Sequence, residues 1–221
     1  MPVITLEMVK QNEEIKTYIE YGNLHLGAMG FTEHSFRHAN IVSSIASRIL
    51  KELGFSEREV ELAAIAGFLH DIGNVVSRHD HGQTGAIVAM RVLRELGMDF
   101  KEIALICAAI GNHEEEYGQS VNNIAAALIL ADKSDVHRGR VRDKEIATFD
   151  IHDRVNYAAK KSEVIVNKEE KFIQLNIEID TEICPVMEYF EIFLNRMLMC
   201  RKAASYLGTK FQLTINGARL L

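Results

Sequence analysis

The side chains best suited to chemistry in this sequence are histidines and aspartates within its first 132 residues. His70 and Asp71 lie at the end of the apolar run that begins at Ile65. A buried imidazole and a buried carboxylate each need a partner, because an unpaired buried polar group costs about 2–7 kcal/mol. A metal ion would satisfy both side chains at once. We therefore take this pair as the anchor of a candidate metal site.

Further candidate ligands precede and follow this pair along the chain. His34 and His38 are four residues apart in a helical pattern, so they lie on one face of a helix, one turn apart. Three more candidates follow the pair: His81, His113 and Asp132. Four other histidines have no comparable setting and are not predicted to be ligands: His25, His79, His137 and His152.

The ordered series His, His-Asp, His, His, Asp resembles the HD-domain superfamily of metal-dependent phosphohydrolases over about residues 30–140. The resemblance implies four ligands for a first divalent ion: His38, His70, Asp71 and Asp132. It implies that Asp71 also bridges to a second ion, whose additional ligands are His81 and His113. His34 is an extra candidate, either as a ligand or as a contact to the substrate.

The predicted chemistry follows from the charge of two such ions. This mixture of imidazoles and carboxylates does not choose among divalent metals. We favour iron or manganese, because a site with room for water differs from a closed structural zinc site. Two cations that share a water lower its pKa and neutralise charge on a phosphoryl group. We therefore predict hydrolysis of a phosphate ester by a metal-bound hydroxide, with Asp71 as the catalytic bridging ligand.

Positive charge collects after the last candidate ligand, Asp132, in a segment that includes Arg140 and Arg142. We favour Lys133 and Arg138 as substrate contacts because they are nearest to Asp132 among the segment's cations, and Arg binds phosphate bidentately. The alternative is a solvated helix end whose charges form surface salt bridges.

Asn74 and Arg78 follow the His-Asp pair along the chain and are weaker candidates for substrate contact. Many dinuclear phosphodiesterases of the superfamily carry Lys where this chain has Asn74, and Asn offers no charge for phosphate. The cyclic-dinucleotide enzymes also carry a second His at the position of Asn112, and their Gly-Tyr-Pro segment has no match after Tyr117. A cyclic dinucleotide is therefore not the first choice of substrate.

Three functions remain open at this point. The first is a phosphohydrolase acting on a small phosphorylated metabolite, with a nucleotide as the preferred class. The second is a mixed-valent di-iron oxygenase, because such members of the superfamily have the same ligand order. The third is a metal-stabilised sensor or scaffold whose C-terminal cap forms a homodimer.

The elements that must position these residues are mostly helices. The first 140 residues are rich in Ala, Leu, Ile, Glu, Lys and Met, which favour helices. Ser56 with Glu59 predicts a capping box, and Gly54 and Gly97 predict helix ends. The predicted helices are roughly 5–28, 34–53, 56–70, 81–97, 99–112 and 120–136. The predicted fold is mainly α, an HD-domain helical bundle.

The pattern changes near residue 160 to that of a small α+β cap. Residues 163–166 and 172–179 flank a polar turn, and the second run alternates apolar and polar residues as a half-buried strand does. A helix over about 183–207 and a strand over 210–216 complete a β-β-α-β unit. We predict a helical metal-binding domain over 1–143, a cap over 144–221, and a structural hinge at 150–157. Met187, Met197 and Met199, with neighbouring aromatic residues, predict core or dimer packing.

Composition excludes several classes of protein. The chain has 221 residues, 48% of them hydrophobic, which is ordinary for one domain with an extension. The formal charge of −6 disfavours binding of duplex nucleic acid. Three widely spaced cysteines suggest neither disulfides nor a zinc ribbon. The apolar stretches are shorter than the ~20 residues that cross a membrane, so we expect a cytoplasmic protein.

Overall fold

A computed structural model describes residues 3–142 and 149–221 of the chain. These residues form nine α-helices and one four-stranded sheet. The helices are α1 (Leu6–Gln11), α2 (Glu13–Ala28), α3 (Phe36–Leu53), α4 (Glu57–Leu69), α5 (His81–Glu95), α6 (Phe100–Gly111), α7 (Asn123–Ser134), α8 (Ile151–Ala158) and α9 (Val186–Tyr206). The strands are β1 (Ala159–Asn167), β2 (Phe172–Ile179), β3 (Lys210–Ile215) and β4 (Ala218–Arg219). The predicted fold class, a mainly helical body with a small C-terminal sheet, is confirmed.

The centre of the body is built from α3, α4 and α7, which pack against one another. Every residue from Leu62 to Leu69 in α4 is buried, and so is every residue from Ile124 to Ala131 in α7. A helix that is apolar on all sides belongs in the interior rather than at the surface. The ends of these two helices therefore lie inside the protein, where their polar residues need partners.

The predicted helix ends are also observed. Ser56 and Glu59 form the capping box at the start of α4. Gly54 and Gly97 both have a φ of 87°, the left-handed conformation that glycine adopts without a steric penalty.

The prediction of one helix over residues 5–28 is wrong, because the helix is interrupted at Asn12. This residue has extended backbone angles, φ −70° and ψ 120°. Its side-chain oxygen accepts a hydrogen bond of 3.0 Å from the backbone N–H of Ile15. Asn competes in this way with helix continuation, so Asn12 ends α1 and caps α2.

The C-terminal sheet has the strand order β1-β2-β3-β4. β1 and β2 form the predicted antiparallel hairpin, and α9 carries the chain across to β3, which pairs parallel to β2. The short strand β4 was not predicted, and β1 begins four residues earlier than the predicted strand at 163. The segment predicted to be a hinge forms α8 and leads directly into β1.

The sheet and α9 dock on the helical body. α9 packs on α7, and it buries Met197, Met199, Tyr189 and Phe193, whereas Met187 is exposed. Arg48 of α3 donates a hydrogen bond to a carbonyl of β1.

The predicted domain boundary between residues 143 and 144 lies outside the described residues. Among the described helices, none combines the length and the apolarity that crossing a membrane requires.

Gly67 allows the close packing of α4 on α3. A Cβ at this position would lie 2.7 Å from the Cα of Ser43, inside the backbone of the neighbouring helix. We expect Gly67→Ala to lower the free energy of unfolding, measured with urea, by about 1–3 kcal/mol. Gly111→Ala is the matched control, because its Cβ would meet its nearest neighbour, Ala86, at an ordinary 3.7 Å. Equal effects of the two substitutions would contradict this account of the packing.

Candidate metal centre

Six histidine and aspartate side chains from different segments converge at one end of the bundle. They are His38 in α3, His70 at the end of α4, Asp71 at the following 3₁₀ turn, His81 at the start of α5, His113 after α6 and Asp132 in the last turn of α7. Gly73 in the 3₁₀ turn lets α5 approach, because a Cβ there would lie 2.1 Å from the carbonyl oxygen of His81. The sequence therefore brings α5 and its histidine against Asp71.

The first of two clusters joins His38, His70, Asp71 and Asp132. The Nε2 atoms of His38 and His70 are 3.2 Å apart. The Oδ2 of Asp71 lies 3.4 Å from the first and 3.1 Å from the second of these atoms. The Oδ1 of Asp132 lies 3.4 and 3.6 Å from the same two atoms. Two nitrogens and two carboxylate oxygens therefore face one point.

The second cluster shares Asp71 with the first. Its histidines, His81 and His113, have their Nε2 atoms 3.1 Å apart. The other carboxylate oxygen of Asp71, Oδ1, lies 3.3 Å from the Nε2 of His81. Asp71 thus presents one oxygen to each cluster, which is the arrangement of a bridging carboxylate.

The hydrogen bonds of the four rings leave the Nε2 lone pairs free. Each Nδ1 faces an oxygen that only accepts: His38 faces Asp135 Oδ2 (2.7 Å), His70 faces Gly67 O (2.9 Å), His81 faces Arg78 O (3.0 Å) and His113 faces Ile110 O (2.6 Å). The proton of a neutral ring therefore resides on Nδ1, and the facing Nε2 atoms are both acceptors. Two neutral rings therefore cannot bond to each other, and each pair needs either a proton or a metal cation between its Nε2 atoms.

The carboxylates of Asp71 and Asp132 also need a positively charged partner. The Oδ2 of Asp71 is buried and has no hydrogen-bond partner among the described residues. Burial opposes ionisation of Asp71 and Asp132, but the surrounding imidazoles and, for Asp132, Lys133 outweigh burial and hold both pKa values well below the usual range. Burial likewise opposes a charge on His70, but the two aspartates raise its pKa to about 10. These donors fit divalent metal ions, which prefer nitrogen and oxygen ligands of this kind.

Comparison with known proteins agrees with this geometry. The HD domain family matches residues 31–158, more than half of the chain and all six donors. The chain belongs to the HD domain family. Members of this superfamily are mostly metal-dependent hydrolases, and HD domains bind divalent metals. Uncharacterized protein MJ1020 of Methanocaldococcus jannaschii is 26% identical over 206 residues, which cover 82% of this chain and 78% of that protein.

Further residues of this HD domain orient the donors. Asp135 accepts from the ring of His38 and also pairs with Arg37. Asn74 donates to the Oδ1 of Asp71 (3.0 Å), and Lys133 donates to the Oδ2 of Asp132 (2.6 Å). Such partners fix the rotamers of the ligands, and the carboxylate of Asp135 also raises the basicity of the His38 ring.

Glu114 supports the second cluster in the same way. Its carboxylate lies 3.4 Å from the Nδ1 of His81 and accepts a hydrogen bond from the backbone N–H of Gly82. Burial raises the pKa of this carboxyl, but His81 and the N–H of Gly82 outweigh burial and lower it to about 2. Burial, with the charges of His70 and His81, lowers the pKa of His113 to about 3, so His113 is neutral.

A cavity of about 840 Å³ opens over the donors and identifies which cations face the site. Lys133 and Arg78, two of the predicted substrate contacts, line it. Asn74 does not line this cavity, because its side chain is turned onto Asp71. Arg138 does not line it either and packs over the ring of Tyr157 instead. Arg140, which the sequence favoured less than Arg138, does line the cavity.

His34 lies next to the site, but outside both clusters. Its Nδ1 donates to the carbonyl of Thr32 (2.8 Å), so its Nε2 is an acceptor, and this atom receives a hydrogen bond of 2.9 Å from Arg140. The lone pair that would bind a metal is therefore used to hold a guanidinium. The structure places His34 as a support for Arg140 at the wall of the cavity.

The sequence interpretation missed several residues of the site. Asp135 follows Asp132 by three residues, and Glu114 directly follows His113, so helix periodicity and adjacency were available signals. α8 contributes His152 and its N-cap residue Asp150 to the cavity, and α9 contributes Arg196. No spacing in the sequence links these later residues to the His-Asp series, because the fold alone brings them there.

We expect Asp135→Asn to weaken metal binding about ten- to a hundredfold, because the neutral amide polarises the ring of His38 less than the carboxylate does. The affinity is measured by competition with a chelator. Asp180→Asn is the matched control, since Asp180 pairs with Lys160 at the sheet and touches none of the donors. Equal affinities of the Asp135→Asn protein and the wild type would show that Asp135 does not tune the site.

Metal binding should also release a proton from His70. Because the pKa of this ring is about 10 in the folded protein, the ring is charged at neutral pH, whereas a metal binds the neutral imidazole. The apparent affinity should therefore rise about tenfold per pH unit between about pH 7 and about pH 8.5. Calorimetry in two buffers with different ionisation enthalpies measures the released proton directly. An affinity that is constant above about pH 7 would contradict this prediction, because an ordinary histidine is already neutral there.

Proposed function

We propose that this HD domain protein is a phosphohydrolase that cleaves a phosphate ester of a small metabolite, with nucleotides as the first class to test. The observation that carries the proposal is the pair of histidine clusters joined by Asp71 under a cavity whose lining includes Arg78, Lys133 and Arg140. Two ions of iron or manganese are the cofactor that we propose for this donor set. Bound there, they would lower the pKa of a shared water and neutralise charge on a phosphoryl group.

The residues around the donors are suited to an anionic substrate. Arg140 is buried, and three hydrogen bonds fix its guanidinium, to the carbonyls of Glu33 and Asp135 and to the ring of His34. An arginine has five N–H donors, so two remain without a partner among the described residues, and we propose that they bind phosphate oxygens. A guanidinium that is already oriented loses little freedom when it binds, and this favours tight recognition of phosphate.

Lys133 contacts a metal donor and also lines the cavity. Its ammonium group bonds to the outer oxygen of Asp132, while the side chain lines the cavity. It thereby orients the carboxylate and adds positive charge beside the place where a phosphoryl group would become more negative. Such fixed charges stabilise a transition state more than the same charges would in water, because the site does not have to reorganise during the reaction.

The cavity has the size and the surfaces for a nucleotide. Its volume, about 840 Å³, falls in the range of roughly 300–1,000 Å³ that is common for small-molecule sites. Phe31 and Tyr117 line it, are exposed and offer aromatic surfaces on which a base could stack.

The di-iron oxygenase remains the second candidate because its ligand order is the same. The lining cations favour the hydrolase, since Arg78, Lys133 and Arg140 are expected where a phosphate must be bound. The two reactions differ in their requirements, because hydrolysis needs no oxygen and an oxygenase consumes it.

The test combines metal analysis with an activity assay on one sample. We expect the protein purified without added metal to contain about two equivalents of metal, and to release phosphate from 4-nitrophenyl phosphate and from members of a nucleotide panel without oxygen. Removal of the metal with a chelator should abolish activity, and addition of manganese or iron should restore it. Asp71→Asn should remove metal from both clusters and abolish activity, whereas Asp180→Asn should leave both unchanged.

The alternatives give different results in the same experiment. Two irons, no phosphate release and oxygen uptake with an organic substrate would favour the oxygenase. Tight metal binding without any turnover would favour the sensor or scaffold. One metal ion per chain would contradict the role proposed for His81 and His113.

A further inference from the structure

A third arginine in the wall of the cavity comes from outside the HD domain match. Arg196 lies in α9, whereas the match ends at residue 158. It lines the same cavity as Arg140 and is close enough to Arg140 to interact with it electrostatically. The C-terminal helix thus contributes a charge to a site whose metal donors all belong to the helical body.

Two contacts hold the guanidinium of Arg196 in one orientation. Its Nε lies 2.5 Å from a carboxylate oxygen of Glu115, two residues after His113. The plane of the guanidinium packs over the ring of Phe193, with 4.3 Å between its central carbon and the ring centroid. Phe193 is itself fully buried, so it gives the arginine a rigid base. Arg196 is therefore positioned before any ligand binds.

The outer edge of the same guanidinium is free to bind a ligand. Among the described residues, the terminal amino groups Nη1 and Nη2 have no hydrogen-bond partner, and the side chain keeps 23% of its surface accessible. This edge donates two parallel N–H groups, the geometry that matches a carboxylate or a phosphate. Glu115 accepts a hydrogen bond only from Nε, so Nη1 and Nη2 both remain available to a ligand.

The position of Arg196 suggests a task different from that of Arg140. Lys133 bonds to the metal donor Asp132, and Arg140 is fixed by groups beside His38 and Asp71. Arg196 contacts none of the six donors. Its partners lie on α9 and on the loop after α6. An anion bound by its fork would then be separate from the phosphate at the metal centre.

We propose that Arg196 is a specificity-determining residue that binds a second anionic group of the substrate. This inference rests on the proposed function, since it takes the scissile phosphate to lie over the two clusters. The preferred substrates are phosphate monoesters whose other end carries a carboxylate or another phosphate. The C-terminal helix selects among phosphate esters, while the HD domain supplies the reaction.

The test uses probes that differ in the charge of the distal group. We would measure binding to the metal-loaded protein of 4-carboxyphenylphosphonate and of its neutral isostere, 4-carbamoylphenylphosphonate, by calorimetry. The wild type should bind the carboxylate about ten- to a hundredfold more tightly, the range expected for hydrogen bonds to a charged group. A third probe, 1,4-phenylenediphosphonate, shows whether the fork prefers a phosphate-like group to a carboxylate.

Arg196→Gln should remove the preference for the charged probe, and Arg196→Lys should restore only part of it, because lysine lacks the fork. Arg201→Gln is the matched control, since it removes an equal charge from an exposed position on the same helix. Glu115→Gln should weaken the preference, because the carboxylate positions the guanidinium.

The outcomes separate this inference from the proposed function. No preference in the wild type, or a preference that survives in Arg196→Gln, would overturn the role of Arg196. An equal loss of affinity for both probes in Arg196→Gln would also overturn it, because the arginine would then bind the phosphonate at the metal centre. Binding does not require turnover, so a preference that depends on Arg196 supports the inference even if no phosphate ester is hydrolysed.

Discussion

The structure depends on one electrostatic constraint, the burial of four imidazoles and two carboxylates whose acceptor atoms face one another. Neutral rings cannot satisfy one another, because every Nδ1 is already bonded and the Nε2 atoms of each pair are then both acceptors, so a proton or a metal cation must lie between them. Buried polar groups without partners are strongly unfavourable. A metal ion that replaces this proton would bind through atoms that the folded bundle brings together, so folding and metal binding are linked.

The rest of the fold serves to hold these atoms close together. Glycines at positions 67 and 73 remove the side chains that would keep α3, α4 and α5 apart. The buried ends of α4 and α7 then bring their polar residues to the same place. A separate set of groups, Asn74, Lys133 and Asp135, turns each donor toward the centre. Close helix packing therefore determines the spacing, and hydrogen bonds determine the orientation.

Much of this arrangement was predictable because it is encoded locally. The richness in helix-forming residues predicts the helices, the alternation of apolar and polar residues predicts the β1–β2 hairpin, and the order of His and Asp residues predicts the centre through its resemblance to the HD-domain superfamily. The break at Asn12 was not predicted, because a single side-chain hydrogen bond outweighed helix propensity over the whole segment. The choice between Arg138 and Arg140 was also beyond the sequence, since tertiary contacts with Tyr157 and His34 determine where each points.

The hydrogen bonds of the rings differ in how far they reach along the chain. His70, His81 and His113 each donate to the carbonyl three residues earlier, so the turn that carries each ring also aims it. His38 instead depends on Asp135, 97 residues away. The rings of His70, His81 and His113 are therefore oriented by the turns that carry them. The ring of His38 is oriented only when α3 packs against the end of α7. Both rings of the second cluster belong to the local group, so the aim of each depends only on the turn that carries it, whereas a change in how α3 meets the end of α7 would disturb the first cluster alone.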